Sequence, residues 1–184
     1  MTEPTLIYGS QEVARALANL SANIIARHPE TPTLLGVRRG GATMATRLAA
    51  LMTASLGAAP PTGVLDINLY RDDWTRARAM PKVGRTEIRH SLDHRRVVVV
   101  DDVLYTGRTV RAALEELSNF GRPDRVELAV LVDRGQREMP IQPDYVSFVV
   151  AAQPDEVVEV CFAGEGGEDR ILLLKKVDLS SIGR

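Results

Sequence analysis

The stretch that decides the fold of this 184-residue chain reads Val97-Val-Val-Val-Asp101-Asp102-Val-Leu-Tyr105-Thr106-Gly107-Arg108-Thr109. Four consecutive valines are typical of a strand buried on both faces, as in a parallel sheet. Residues 105–109 then predict a loop that enters a helix, where backbone N–H groups and the two threonine hydroxyl groups suit a phosphate. The paired aspartates suit sugar hydroxyl groups, or a Mg²⁺ ion held through water. Together these features predict a site for a sugar phosphate, whereas a simple turn cap explains only the aspartates.

Strands and helices alternate on both sides of this stretch, which predicts an α/β fold with a mostly parallel central sheet flanked by helices. A hairpin near the C-terminus (residues 157–162 and 171–177) is expected to form a small cap with the N-terminal residues. Ser10 is the expected N-cap of the first helix. The expected strands are residues 33–37, 64–70, 97–100, 126–132 and 145–150. The first expected helix runs from this cap to about residue 27, and the others span residues 42–56 and about 109–120.

Composition limits the class of protein. Lys and Arg number 23 against 24 Asp and Glu, and aromatic residues make up 4%. A broad electrostatic surface for nucleic acid and an aromatic stacking platform are therefore not expected. One cysteine excludes a disulfide framework, and no segment resembles a signal peptide or a membrane span, so we expect a cytoplasmic protein. His28, His90 and His94 share no metal-ligand spacing and are expected at the surface.

The length predicts one domain, residues 1–184. We expect a core at about residues 30–150, and a hood formed by the N-terminal residues and about residues 151–178. The charged residues at about 70–89, with little apolar periodicity, are expected to form a mobile lid over the site.

The deciding stretch resembles the 5-phosphoribosyl 1-diphosphate (PRPP) motif of type I phosphoribosyltransferases. Further stretches are similar to the PyrR family, namely Leu65-Asp-Ile-Asn-Leu-Tyr-Arg-Asp-Asp73, Gly121-Arg-Pro123 and Leu128-Ala-Val-Leu-Val-Asp-Arg-Gly135, with Arg137-Glu138 and Pro140-Ile141. Members of that family are uracil phosphoribosyltransferases that also regulate pyrimidine genes by binding messenger RNA. The resemblance implies the type I phosphoribosyltransferase fold with a small hood. It also implies a homodimer or larger homo-oligomer, and transfer of the phosphoribosyl group of PRPP to uracil N1, giving UMP and diphosphate in pyrimidine salvage.

The resemblance also implies a role for individual residues. Asp101 and Asp102 would hold the ribose hydroxyl groups and, through substrate or water, Mg²⁺, while Arg71 would reach the diphosphate. The base would lie against Arg134, Tyr145 and Val146. The residues expected to bind PRPP are Arg38, Arg39, Gly40, Asp101, Asp102, Val103, Leu104, Tyr105, Thr106, Gly107, Arg108 and Thr109.

The chain departs from the family at several positions. Gly40 stands where the family's diphosphate loop has an arginine, with Arg39 one position earlier as a substitute cation. Positions that the family's regulators use for RNA have lost their polar donors, although Arg27 and Arg137 remain. The alternatives to uracil transfer are therefore a UMP- or UTP-responsive RNA-binding attenuator, or a catalytically weak nucleotide sensor. Residues 143–148 also resemble purine phosphoribosyltransferases, but those enzymes carry an acidic general base at the position of Tyr105, which favours uracil.

Overall fold

The computed structural model describes residues 4–67, 85–164 and 167–175. Within them, the elements in chain order are β1 (Thr5–Tyr8), α1 (Ser10–Arg27), β2 (Thr33–Val37), α2 (Gly40–Leu56), β3 (Thr62–Leu65), β4 (Arg96–Leu104), α3 (Arg108–Leu117), a 3₁₀ turn (Ser118–Phe120), β5 (Arg125–Asp133), β6 (Tyr145–Val149), β7 (Glu156–Cys161) and β8 (Arg170–Lys175).

Five of these strands form the central sheet in the order β3-β2-β4-β5-β6, and every pair is parallel. The middle strand, β4, is buried on both faces. Val98 and Val100 pack into the core beneath α1 and α2, whereas Val97 and Val99 pack into the core beneath α3. The valine run therefore predicts its environment correctly, and the expected α/β architecture is confirmed.

The hood is the second sheet, which is antiparallel and has the order β1-β8-β7. Strands β7 and β8 form the expected hairpin, and β1 pairs with β8, so the N-terminal residues do join it. Val158 and Ile171 attach the hood to the core because both side chains are buried there. Arg47 of α2 adds a polar contact, pairing with Asp169 and donating to Ala163 O at 3.1 Å.

Some element boundaries differ from the sequence expectations. Strand β4 extends through Leu104 and so contains both aspartates, because its pairing with β5 continues to Asp133. Helix α1 has Gly9 rather than Ser10 as its N-cap, and the Gly9 N–H donates to the Glu12 carboxylate at 2.7 Å. Helix α2 begins at Gly40. Most of the expected lid, together with Arg71, lies outside the described residues.

His28 is buried rather than exposed, which corrects the sequence expectation. Its Nε2 lies 2.6 Å from a Glu127 carboxylate oxygen, and both side chains are almost fully covered. The Tyr145 hydroxyl group donates to the same carboxylate at 3.0 Å. A buried carboxylate needs such partners to offset the loss of water, and α1 ends where His28 can supply one.

No helix among the residues described is long and apolar enough to cross a lipid bilayer. The same residues contain no group of three or more His, Cys, Asp or Glu side chains placed to bind a metal ion.

The two faces of α2 allow a matched test of the core. We expect Leu48→Ala to lower the free energy of unfolding by about 2–5 kcal/mol, since it leaves a cavity in a packed interior. Leu48 is fully buried, whereas Leu51 on the same helix is 36% exposed. Leu51→Ala should cost clearly less in urea unfolding, and equal losses would contradict this assignment of the core.

Candidate functional site

The candidate site is a cleft of about 490 Å³ between the carboxyl end of β4 and the hood. In open α/β sheets ligands bind beyond the carboxyl ends of the strands, and the cleft occupies that position. Arg39, Gly40, Thr43, Asp102 and Val103 line it from the core, and Val158, Glu159, Val160 and Phe162 line it from the hood.

The two aspartates differ in their surroundings. Asp101 is only 5% exposed, whereas Asp102 is partly buried and lines the cleft. The Asp102 carboxylate accepts a hydrogen bond from the Val103 N–H at 3.0 Å. Burial raises the pKa of the Asp102 carboxyl group above its ordinary value of 3.8, because desolvation disfavours the charged form. Keeping the Asp102 carboxylate ionised at the cleft therefore lowers the free energy of unfolding.

Glycine residues bring the loop between β2 and α2 against the end of β4. A Cβ on Gly41 would overlap the carbonyl oxygen of Val100, and one on Gly36 would lie 2.5 Å from the Cα of Ala42. A Cβ on Gly40 would overlap the Asp102 carboxylate. The absence of a side chain at position 40 is therefore explained locally, because the Asp102 carboxylate occupies the space that a Cβ would need.

The two arginines before this glycine have different positions. Arg39 lines the cleft. The Arg38 Nη2 donates to the Arg85 carbonyl oxygen at 2.9 Å, and its Nε lies 3.4 Å from a carboxylate oxygen of Asp66, the residue after β3. The expectation that Arg38 binds PRPP is therefore not supported by its geometry, because its guanidinium group is held by protein acceptors.

The loop at residues 105–107 has the form of an anion site at a helix N-terminus. Gly107 is the N-cap of α3 and has φ +89°, a conformation that glycine adopts without strain. Within the described chain, the N–H groups of Thr106 and Gly107 have no hydrogen-bond acceptor. The Thr106 hydroxyl group accepts a hydrogen bond from the Arg108 N–H at 3.3 Å. Leu104 is buried in the core beneath α3, so its side chain is not available to a ligand.

Arg134 lies beside this loop but is enclosed by protein. Its guanidinium carbon stands 3.8 Å from the centre of the Tyr105 ring. Its Nη2 donates to the carbonyl oxygens of Gln153 at 3.0 Å and Glu156 at 2.6 Å. With only 4% of the residue exposed, Arg134 ties the loop to the chain that enters β7, and it does not line the cleft.

Tyr145 and Val146 do not line this cleft, so its lining gives no support to the expectation that they contact the base. The Tyr145 side chain is buried, and its hydroxyl group points to Glu127 and His28. That burial and the hydrogen bond to Glu127 raise the pKa of Tyr145 to about 12. Val146 is 40% exposed on the edge strand β6 and lines a separate groove against α1.

Sequence reasoning missed the hood residues that do line the cleft, Val158, Val160 and Phe162. A signal was present, because a second Pro-Asp pair at residues 154–155 precedes a second run of alternating apolar residues, as Pro143-Asp144 precedes β6. Only the position of the hairpin in three dimensions shows which of the two runs faces Asp102.

The raised pKa of Asp102 has a consequence for stability. Because the folded-state pKa exceeds the unfolded one, the free energy of unfolding falls as pH rises from 3.8 through the folded-state value, and it stays lower at neutral pH. We expect Asp102→Asn to have a higher melting temperature than wild type at pH 7, with the difference vanishing at acid pH. Asp155→Asn, at an exposed position, is the control. An unchanged or lower melting temperature for Asp102→Asn at pH 7 would contradict the assignment.

Comparison with solved structures agrees with this fold. A purine phosphoribosyltransferase from Pyrococcus horikoshii is 27% identical, with a TM-score of 0.59 over 77% of this chain and 85% of that one. The hypoxanthine phosphoribosyltransferase of Trypanosoma cruzi, at 16% identity, has a TM-score of 0.68 over 94% of this chain and 97% of that one. At 16% identity the second likeness establishes the fold only.

Comparison with known sequences identifies the family. Residues 6–160 match the family model of the phosphoribosyl transferase domain. A protein of Desulfosudis oleivorans named "Bifunctional protein PyrR" is 46% identical over 176 residues, covering 94% of this chain and 97% of the relative. A protein of the same name from Deinococcus radiodurans is 44% identical over 97% of this chain and 100% of the relative. The chain therefore belongs to the PyrR family of phosphoribosyltransferases.

Proposed function

We propose that this protein is a uracil phosphoribosyltransferase that converts uracil and PRPP to UMP and diphosphate. The observation that carries the proposal is the end of β4. Asp102 and the glycine loop with Arg39 line one cleft there, and the strand continues into the 105–107 loop, whose Thr106 and Gly107 N–H groups have no acceptor among the described residues. These three groups match the ribose hydroxyl groups, the diphosphate and the 5-phosphate of PRPP. Similarity to proteins named PyrR supports the pyrimidine as acceptor.

In the proposed reaction, the bond between the anomeric carbon and the diphosphate oxygen breaks, and the bond to uracil N1 forms. The N1 proton passes to water or to the departing diphosphate, which leaves with the electron pair of the broken bond. Asp102, with Asp101 behind it, holds the ribose hydroxyl groups, and the 105–109 loop holds the 5-phosphate. Arg39 stands at the diphosphate end, where positive charge stabilises the departing group, and we propose the same role for Arg71.

Two carboxylates alone do not complete a metal site, which agrees with a Mg²⁺ ion held mainly by the oxygens of PRPP and by water. When bound, this ion would neutralise charge on the diphosphate, and we propose that Asp101 and Asp102 would hold it through substrate or water. We further propose a cytoplasmic protein that forms a homodimer or larger homo-oligomer. Light scattering of the purified protein tests the oligomeric state.

Tyr105 supports a pyrimidine over a purine. Its ring is covered by the Arg134 guanidinium group, so the position that would carry a general base in the purine enzymes holds a packing residue here. The acidic general base that the purine enzymes carry at this position is therefore absent, and this departure from the purine enzymes favours uracil.

Regulation through RNA, the alternative, has less support from the described residues. Arg137 directs its guanidinium donors to protein acceptors. Arg27 lies over the Tyr145 ring, with its guanidinium carbon 5.3 Å from the ring centre. A salt-dependent titration with an RNA hairpin of the anti-terminator type tests this alternative.

The first test of the proposal is UMP formation from uracil, PRPP and Mg²⁺, with hypoxanthine and guanine as competing acceptors. We expect turnover with uracil, and a loss of about a hundredfold or more in Asp102→Asn because the ribose is no longer held in position. Asp155→Asn should retain wild-type turnover. Absence of turnover with every base, in protein that still binds PRPP or UMP, would favour the weak sensor instead.

A second test concerns the close contact between Gly40 and Asp102. We expect Gly40→Ala to lower turnover by about a hundredfold, since its Cβ must displace the carboxylate or the loop. Gly40→Arg, which restores the arginine expected from the family resemblance, should also lose activity. Gly164→Ala is the matched control, because a Cβ there meets no atom within 4 Å. Activity of Gly40→Arg at or above the wild-type level would overturn this explanation of the glycine.

A further inference from the structure

Three consecutive carbonyl groups at the end of β4 are turned toward one neighbouring segment, residues 134–139. The Leu104 oxygen accepts from the Arg134 N–H at 2.9 Å. The Tyr105 oxygen accepts from Arg137 Nη1 at 2.9 Å. The Thr106 oxygen accepts from the N–H groups of Glu138 at 2.9 Å and Met139 at 3.0 Å.

These bonds determine where the next N–H groups point. In a planar trans peptide, the carbonyl group of one residue and the N–H of the following residue have opposite directions. Fixing the Tyr105 carbonyl group therefore fixes the Thr106 N–H, and fixing the Thr106 carbonyl group fixes the Gly107 N–H. Both N–H groups are the ones left without an acceptor in the described chain. The 134–139 segment thus holds two donors ready for an anion before any ligand is present.

Arg137 is the one residue that donates to these carbonyl groups through its side chain. Its guanidinium group is enclosed and makes several hydrogen bonds within the protein. Its side chain is 14% exposed. Its Nη2 lies 2.7 Å from an Asp133 carboxylate oxygen, and its Nε donates to the Ile141 carbonyl oxygen at 2.9 Å. The planar guanidinium group reaches acceptors in three directions at once, which a lysine ammonium on its flexible stem does not reproduce.

Arg134 holds the same loop residue from its other side. It stacks on the Tyr105 ring, while Arg137 holds the Tyr105 backbone. The ring and the carbonyl group of Tyr105 are therefore both fixed by arginines that follow β5. Both contacts are made within the protein and need no ligand.

We propose that Arg137 is the positioning residue of the phosphate loop. Through the Tyr105 carbonyl group it pre-orients the Thr106 N–H for the 5-phosphate of PRPP. This inference rests on the proposed function, because it takes the 105–109 loop as the 5-phosphate site. Arg137 touches no substrate in this scheme. Its effect is to remove the cost of ordering the loop when PRPP binds, which is the usual gain from preorganisation.

The test is PRPP binding with Mg²⁺ and no base, measured by calorimetry, so that no turnover is needed. We expect Arg137→Met and Arg137→Lys both to weaken PRPP and ribose 5-phosphate binding by about tenfold, as for a lost charge-assisted hydrogen bond. Arg95→Met is the matched control, because Arg95 donates to the Ser91 carbonyl oxygen at 3.1 Å, in the turn before β4. Steady-state kinetics should show a higher KM for PRPP with little change in the KM for uracil.

The outcomes separate the inference from the function on which it rests. Weaker binding of both phosphates, with the KM for uracil unchanged, supports positioning, since general damage to the fold would alter both substrates. Wild-type affinity for PRPP in Arg137→Lys overturns the inference and leaves the proposed function intact. Wild-type protein that fails to bind PRPP overturns both. If Arg137→Met does not fold, Arg137→Lys decides, because it keeps the positive charge beside Asp133.

Discussion

The close approach of the β2–α2 loop to the end of β4 is the constraint on which the rest of the cleft depends. Backbone at Gly40 and Gly41 lies where any side chain would overlap Asp102 or the Val100 carbonyl group. This approach brings the loop that carries Arg39 to the same cleft as Asp102. It also fixes the start of α2, whose Arg47 then reaches the hood hairpin. The contact thus places the core side of the cleft, while the burial of Val158 and Ile171 holds the hood above it.

A second feature of the site is that much of its recognition capacity belongs to the backbone. Every residue except proline has a backbone N–H group, so the side chains at positions 106 and 107 do not determine these two donors. Their direction depends instead on the hydrogen bonds from the 134–139 segment to the carbonyl groups of the loop. Such donors have little freedom to reorganise, because the peptide planes are held from behind. The charged side chains that line the cleft are Arg39 and Asp102 on the core side and Glu159 on the hood side.

The sequence predicted the elements that depend on local pattern. A run of valines specifies a strand buried on both faces, and Gly107 before a helix specifies the turn into α3, so both could be placed without a structure. The roles of the arginines could not. Arg134 and Arg137 follow a strand, as surface residues often do. Their guanidinium groups are held mainly by carbonyl oxygens of residues 105, 153 and 156, which lie about 20 or more positions away in the sequence. The buried hydrogen bonds of Tyr145 could not be predicted for the same reason, since its partners are Glu127 and His28.

The close contact between position 40 and the carboxylate of Asp102 couples the two positions. A side chain at position 40, such as the arginine that the family resemblance implies there, needs the Asp102 carboxylate or the glycine loop to shift, because its Cβ would overlap that carboxylate. Substitutions at these two positions are therefore expected to be epistatic, since the effect of a change at position 40 depends on how freely Asp102 can move. A change in the glycine loop is thus transmitted first to the carboxylate at the end of β4.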